Sequence, residues 1–309
     1  GCTQPTTLIF AIPLFGFFAE VVATFTRGRS RNRGLIFAGI GLVGVAVFGT
    51  VLQWPATLRT SFLDLSFGEK LKDLLPFALV HGVPALGALV AVALCAKGLS
   101  AKPTITAPLV FGLFSALLAL CGVAASALNH VAGAGLIGTT FEEGTWLALV
   151  FSAVLATMGA VTYWGPKWWG RSLPPKAVLP LALLAFAGAA LAALPLMVAG
   201  LADQPGGVFP AVERGSDAVV NFAYSGPMAL WNLLSSVGHG MVLLAGLVFI
   251  AVAVRSVRAG ERAGDDPWDG HTLEWATTSP APADNFAVVH IVQSAEPLLD
   301  LKPSNRSDT

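Results

Sequence analysis

Seven apolar stretches, each about 20 residues or longer, follow one another along the chain with short polar connections between them. They run over approximately 7 to 26, 34 to 54, 74 to 96, 105 to 128, 144 to 165, 177 to 202 and 226 to 254. The runs carry Gly and Pro, which spanning helices tolerate because their backbone groups are satisfied within the segment. The pattern therefore predicts an all-α membrane protein, a bundle of about seven transmembrane helices over 1–254, and excludes barrel strands. Residues 255–309 break the pattern. They are polar, cluster Pro, Ser and Thr in "ATTSPAPADNF" and show no periodicity, which predicts an extended tail rather than a further domain.

Composition agrees with this division. The chain is 55% hydrophobic and only 12% charged, too apolar for a soluble domain of 309 residues. Charge placement adds direction, because Lys and Arg collect on the cytoplasmic side of a membrane. Alternate loops and the tail hold Arg27, Arg29, Arg31, Arg33, Lys97, Lys102, Lys167, Arg171, Lys176, Arg255, Arg258, Arg262, Lys302 and Arg306, against Arg59, Lys70, Lys72 and Arg214 in the others. That division of 14 to 4 supports seven spans and predicts a cytoplasmic C-terminus with the start of the chain outside. Net charge is zero, so no global field points to nucleic acid, and the partner that composition implies is the lipid bilayer. Cys2, Cys95 and Cys121 follow no metal spacing and read as small apolar side chains. Neither an initiator Met nor a basic segment precedes the first apolar run, and the chain is expected to begin mid-protein.

Five segments in order resemble subunit 1 of the haem-copper oxidases, the cytochrome c oxidase family. "IPLFGFFAEVVATFTR" (12 to 27) resembles the family's PGFGIISEVV-TF-R, and "YWGPKWWGR" (163 to 171) resembles YWFPKMTGR. "LPLMVAGLADQP" and "LWNLLSSVG" are similar to FFP-HFLGL-GMP and MWN-ISS-G. The most specific match is "DPWDGHTLEWATTSPAPADNF" (266 to 286), similar to the tail GxTLEWxxxSPPPxxNF of bacterial, especially actinobacterial, members. The resemblance covers the family's sixth to twelfth helices and implies its fold, a bacterial cytoplasmic membrane location and partners among other membrane subunits or the family's first five helices. The activity it would imply is terminal oxygen reduction with proton pumping.

The residues at the ligand positions depart from the family. Two histidines of its tenth helix, two residues apart in VHDTYFVVAHFHYV, face opposite sides because two residues turn about 200° around an α-helix, so each takes a different haem iron. Aligning DTYF with "GTTF" places those positions on Thr145 and Leu147, and the preceding His-Asp pair on Ile137 and Gly138. Aligning HPEVY with "QPTTL" puts a copper-ligating His on Gln4 and its cross-linked Tyr on Leu8. With a one-residue gap in the arginine loop, the remaining His-His pair falls on Leu52 and Gln53. The two arginines that pair with haem propionates become Gly206 and Gly207, and the proton-pathway lysine falls on Pro84. Thr and Leu supply no axial nitrogen, and a Gln amide is a poor copper ligand. Neither haem nor copper binding is therefore expected. The coordinated loss predicts a non-catalytic scaffold or accessory subunit; the alternative is a working terminal oxidase whose ligands come from elsewhere, and a transporter is a third reading.

Other titratable residues remain as candidates. His81 and His239 lie inside spans, where an ionisable group is costly and marks either a functional site or a neutral imidazole hydrogen-bonded between helices. His130 falls in an outer loop, and His271 and His290 in the tail. Glu20 is expected to anchor on the neighbouring arginines or to transfer protons, while Glu142 and Glu143 open a helix or form a cation or partner site.

Overall fold

The computed structural model describes residues 8–30, 32–52, 56–100, 103–207, 226–286 and 290–301. Gln4 and Gln53 lie outside them. A 3-10 turn, Leu8–Phe10, leads into α1 (Ala11–Phe25). There follow α2 (Arg33–Val43), α3 (Ala46–Leu52), α4 (Phe67–Phe77), a π turn (Ala78–Gly82), α5 (Val83–Leu99), α6 (Ala107–Asn129), α7 (Thr140–Trp169), α8 (Pro175–Leu201) and α9 (Met228–Ala259). The chain is an all-α, multi-pass membrane protein.

Six helical segments among the described residues are long and apolar enough to span: Leu8–Phe25, Phe67–Leu99, Ala107–Asn129, Thr140–Trp169, Pro175–Leu201 and Met228–Ala259. The second of the seven expected runs instead forms two pieces, α2 and α3, which meet at a turn over Gly44 and Val45. Its glycines at 34, 39, 41, 44 and 49 explain the break, since each weakens a helix interior relative to Ala. They also serve packing: a Cβ on Gly87 of α5 would stand 2.5 Å from the Gly39 carbonyl oxygen, so α2 and α5 touch backbone to backbone.

The third span begins earlier than hydropathy predicts, because Ser66 and Glu69 form a capping box that starts α4 at Phe67 despite charges at 69, 70, 72 and 73. The π turn then carries this helix into α5, with Pro84 in the first turn, where a missing N–H is tolerated. α1 packs against α2, α5, α6 and α7, while α8 bridges α6, α7 and α9. α9 rests mainly on α8 and exposes Leu233, Leu243, Leu244, Leu247 and Ile250. Such a face suits lipid or another helix.

The tail folds back over the basic end of the bundle. Arg171–Ser172 (β1) pairs antiparallel with Glu261–Arg262 (β2), a 3-10 turn spans Leu273–Ala276, and α10 covers Pro297–Leu301. Gly170 closes α7 in a left-handed conformation, φ 73°, and a Cβ there would meet Pro280 Cδ at 2.8 Å. Only Gly satisfies both demands.

α10 is tied to the arginine loop by an ion pair between Arg29 and Asp300 and by Glu296, which lies 3.8 Å from Arg33 and accepts from the Ser30 amide at 3.0 Å. The Ser294 hydroxyl and Arg29 hold the Asp300 carboxyl below its ordinary range. Because the folded value is depressed, the contribution is present above the unfolded pKa of about 4 and is lost as pH falls through the folded value. Asp300→Asn should therefore speed hydrogen exchange at the Leu298 amide, which donates to the His271 carbonyl at 3.0 Å, near neutral pH but not in acid. Equal acceleration at both pH values would disprove the charge contribution.

Candidate functional site

The described residues that the sequence aligns with the family's ligand positions lie among packed apolar surfaces. Thr145 is fully buried and its Oγ1 donates to the Phe141 carbonyl of its own helix at 2.8 Å. Leu147 is buried within an apolar cluster that includes Phe111, Leu118 and Leu155. Close helix contacts flank both: a Cβ on Gly144 would lie 2.6 Å from the Ala193 carbonyl, and one on Gly122 would lie 2.8 Å from Leu149. Leu8 is buried in the 3-10 turn before α1, and Leu52 ends α3.

Gly206 and Gly207 sit in a turn folded against the start of α7. The Gly206 amide donates to the Gly138 carbonyl at 2.8 Å and the Gly207 amide to Glu143 at 2.9 Å. Gly207 has φ 69°, and a Cβ on Gly206 would approach the Thr139 carbonyl oxygen at 3.1 Å. Arginines at both positions would be strained here. Glu142 accepts from the Asn129 amide at 3.0 Å, so both glutamates of the first turn bind polar groups that also meet the favourable end of the helix dipole.

The candidate histidines do not converge on one site. His81, in the π turn, is buried and stacks on His130 with ring centroids 4.0 Å apart. Neither His81 ring nitrogen makes a hydrogen bond of good geometry among the described residues, although the Ala56 backbone lies within its reach. Nitrogen lone pairs lie in the ring plane, so near-parallel stacked imidazoles do not aim at a common ion. His239 lies on the exposed side of α9, its Nδ1 2.8 Å from the Ser235 carbonyl, with its ring edge-on to Phe151. No group of three or more His, Cys, Asp or Glu able to hold a metal occurs among the described residues.

The densest polar constellation lies instead where the tail meets α1 and α7. Contrary to the expectation from sequence, Glu20 makes no ion pair with an arginine among the described residues; it accepts from Thr272 at 3.2 Å and Tyr163 at 3.5 Å. The chain carries the tail directly over Glu20, whereas Arg29 and Arg33 turn to the carboxylates around α10. Tyr163 and Thr24 hydroxyls are 2.8 Å apart, and the Trp268 indole donates to the Tyr163 carbonyl at 2.8 Å. Lys167 is buried, with Nζ donating to the carbonyls of Asp265 (2.8 Å), Thr277 (2.7 Å) and Thr278 (3.3 Å) and lying 5.4 Å from the Trp275 ring centre. Sequence reasoning counted Lys167 only as a topology charge. The visible signal was a lysine inside "WGPKWW", surrounded by aromatic residues. This cluster ties α1 and α7 to the tail.

The two segments it joins, "YWGPKWWGR" and "HTLEWATTSP", are the ones most like the oxidase motifs, and relatives confirm that likeness over the full chain. The chain is 25% identical to cytochrome bo(3) ubiquinol oxidase subunit 1 of Buchnera aphidicola subsp. Baizongia pistaciae, over 99% of this chain and 44% of that protein. It is 25% identical to cytochrome c oxidase subunit 1 of Bacillus subtilis (96% and 45%) and 25% identical to the probable quinol oxidase subunit 1 of Staphylococcus haemolyticus (98% and 44%). No family model matches the chain. The chain thus spans less than half the length of these curated relatives. Helical architecture, ordered motifs and similarity over nearly the whole of this chain together make it similar to subunit 1 of the haem-copper oxidases.

Proposed function

We propose that this chain is a non-catalytic member of that family, a scaffold or accessory subunit of a respiratory-chain assembly in the bacterial cytoplasmic membrane, with its C-terminus in the cytoplasm. The observation that carries the reading is the pair Thr145 and Leu147. Each haem iron needs an axial donor at the end of a side chain facing open space for the macrocycle. Thr145 spends its hydroxyl on its own helix, and Leu147 has no donor at all. The residues present do not fit haem, and Leu52 with the Gln4 and Gln53 positions does not fit a three-imidazole copper site. The glycine turn at 206 and 207 replaces the cationic partners that haem carboxylates require, so second-sphere and ligand losses agree.

In this reading the bundle, 1–254, supplies the membrane surface and the tail, 255–309, secures its basic end. The partner is another membrane subunit, or a chain equivalent to the family's first five helices, seated on faces such as that of α9. Full-length similarity to oxidases favours one second reading, a catalytic subunit whose ligands are supplied elsewhere.

Haem and copper content separates the two. The chain, expressed with whatever coding sequence lies upstream and purified, should give a pyridine haemochrome spectrum and elemental analysis with far less than one haem or copper per protein. Stoichiometric haem that changes spectrum on reduction would sink the scaffold reading and direct mutagenesis to His81, His130 and His239.

A further inference from the structure

A cavity of about 300 Å³ opens at the basic end of the bundle, between the end of α1, the arginine loop, the start of α2 and the end of α5. Its inner wall is apolar, built from Ala19, Val22, Ile36 and Leu94; its rim is polar, with Ser30, Asn32, Arg29 and Lys97. Charge at the rim is only partly balanced. Arg29 is taken by Asp300, and Arg33 close by is met by Glu296. The Lys97 ammonium has no ion-pair or hydrogen-bond partner among the described residues. Asn32 precedes α2 at the capping position, yet its side chain makes no capping bond. An ammonium and an amide without partners among the described residues therefore border one cavity with an apolar floor.

We infer that this pocket binds the phosphate of an anionic membrane phospholipid. The ammonium and amide are donors for phosphate oxygens, and the first turn of α2 adds a favourable dipole. A free phosphate has the same chemistry at the rim, but it would leave the apolar floor facing water. A glycerol backbone and the start of an acyl chain would cover that floor. The position fits as well: the pocket lies where Phe25 and Leu99 end their spans, at headgroup depth. The inference needs only the membrane location and is independent of whether the chain has lost haem.

The test uses the full chain in a neutral detergent, titrated with phosphatidylglycerol or phosphatidylcholine, with bound lipid counted by native mass spectrometry. Phosphatidylglycerol should bind at least about tenfold more tightly than phosphatidylcholine, a preference of ~1.4 kcal/mol. Lys97→Gln combined with Asn32→Ala should abolish that preference, Lys97→Arg should retain it, and Lys176→Gln at the start of α8 should leave it unchanged. Inorganic phosphate at equal concentration should not displace the lipid; if it does, the pocket is a free-anion site and the lipid assignment fails. Equal phosphatidylglycerol binding by every variant, or equal loss in Lys176→Gln, overturns the site itself.

Discussion

Lys167→Ala should release the tail from the bundle. The side chain is buried and its ammonium serves three tail carbonyls, those of Asp265, Thr277 and Thr278, while lying against Trp275. Truncation leaves those acceptors without their donor and opens a void beside the indole, at a cost of about 3 kcal/mol. Local opening governs proteolysis when reclosing is fast, so protease cleavage between 264 and 286 should accelerate on the order of a hundredfold in the purified protein. Lys167→Met keeps most of the volume but removes the charge, and it should recover only the packing share. If cleavage in Lys167→Ala matches the parent chain, the tail is not held by this lysine.

The contrast between what could and could not be read from residue order has a physical cause. Spans were legible because apolar length is a local property, and Ala107–Asn129 and Pro175–Leu201 fall within about two residues of their predicted limits. Boundaries failed where a local cap or a break outweighed hydropathy, as at Ser66 and Gly44. The register in which Thr145 and Leu147 fall on ligand positions is supplied by the resemblance of "GTTF" to the family's DTYF. The role of Lys167 was not legible, since its partners are backbone carbonyls about a hundred residues away and carry no side-chain signature. The His81–His130 stack, which joins a π turn to the end of α6, was not legible either, because no local pattern pairs two side chains from separate elements. Where a long-range polar contact is made with backbone, as by Lys167, Arg171 and Trp268, the partner is silent in sequence.

Gly238→Leu should detach α9 from α8. In a bilayer, apolar side chains gain little by leaving lipid for another helix, so association rests on close packing and interhelical hydrogen bonds. Here the two helices meet at glycines: a Cβ on Gly238 would lie 2.3 Å from the Ala192 nitrogen and 2.6 Å from the Gly188 carbonyl oxygen. No rotamer relieves a clash between a Cβ and backbone, and the helices must separate. Separation would also break the 2.8 Å bond from Ser235 Oγ to the Ala192 carbonyl and strain the reciprocal amide pair of Gln204 and Asn232 at 3.2 and 2.9 Å. The expected loss is about 3 kcal/mol, read as reduced thermal stability in detergent and as lost cross-linking between cysteines placed on the two helices. Gly240→Leu is the matched control, because a Cβ there meets nothing within 4 Å and its face is exposed. If the two variants behave alike, α9 is held by something other than the glycine contact, and its outward leucines, facing a partner, become the candidate.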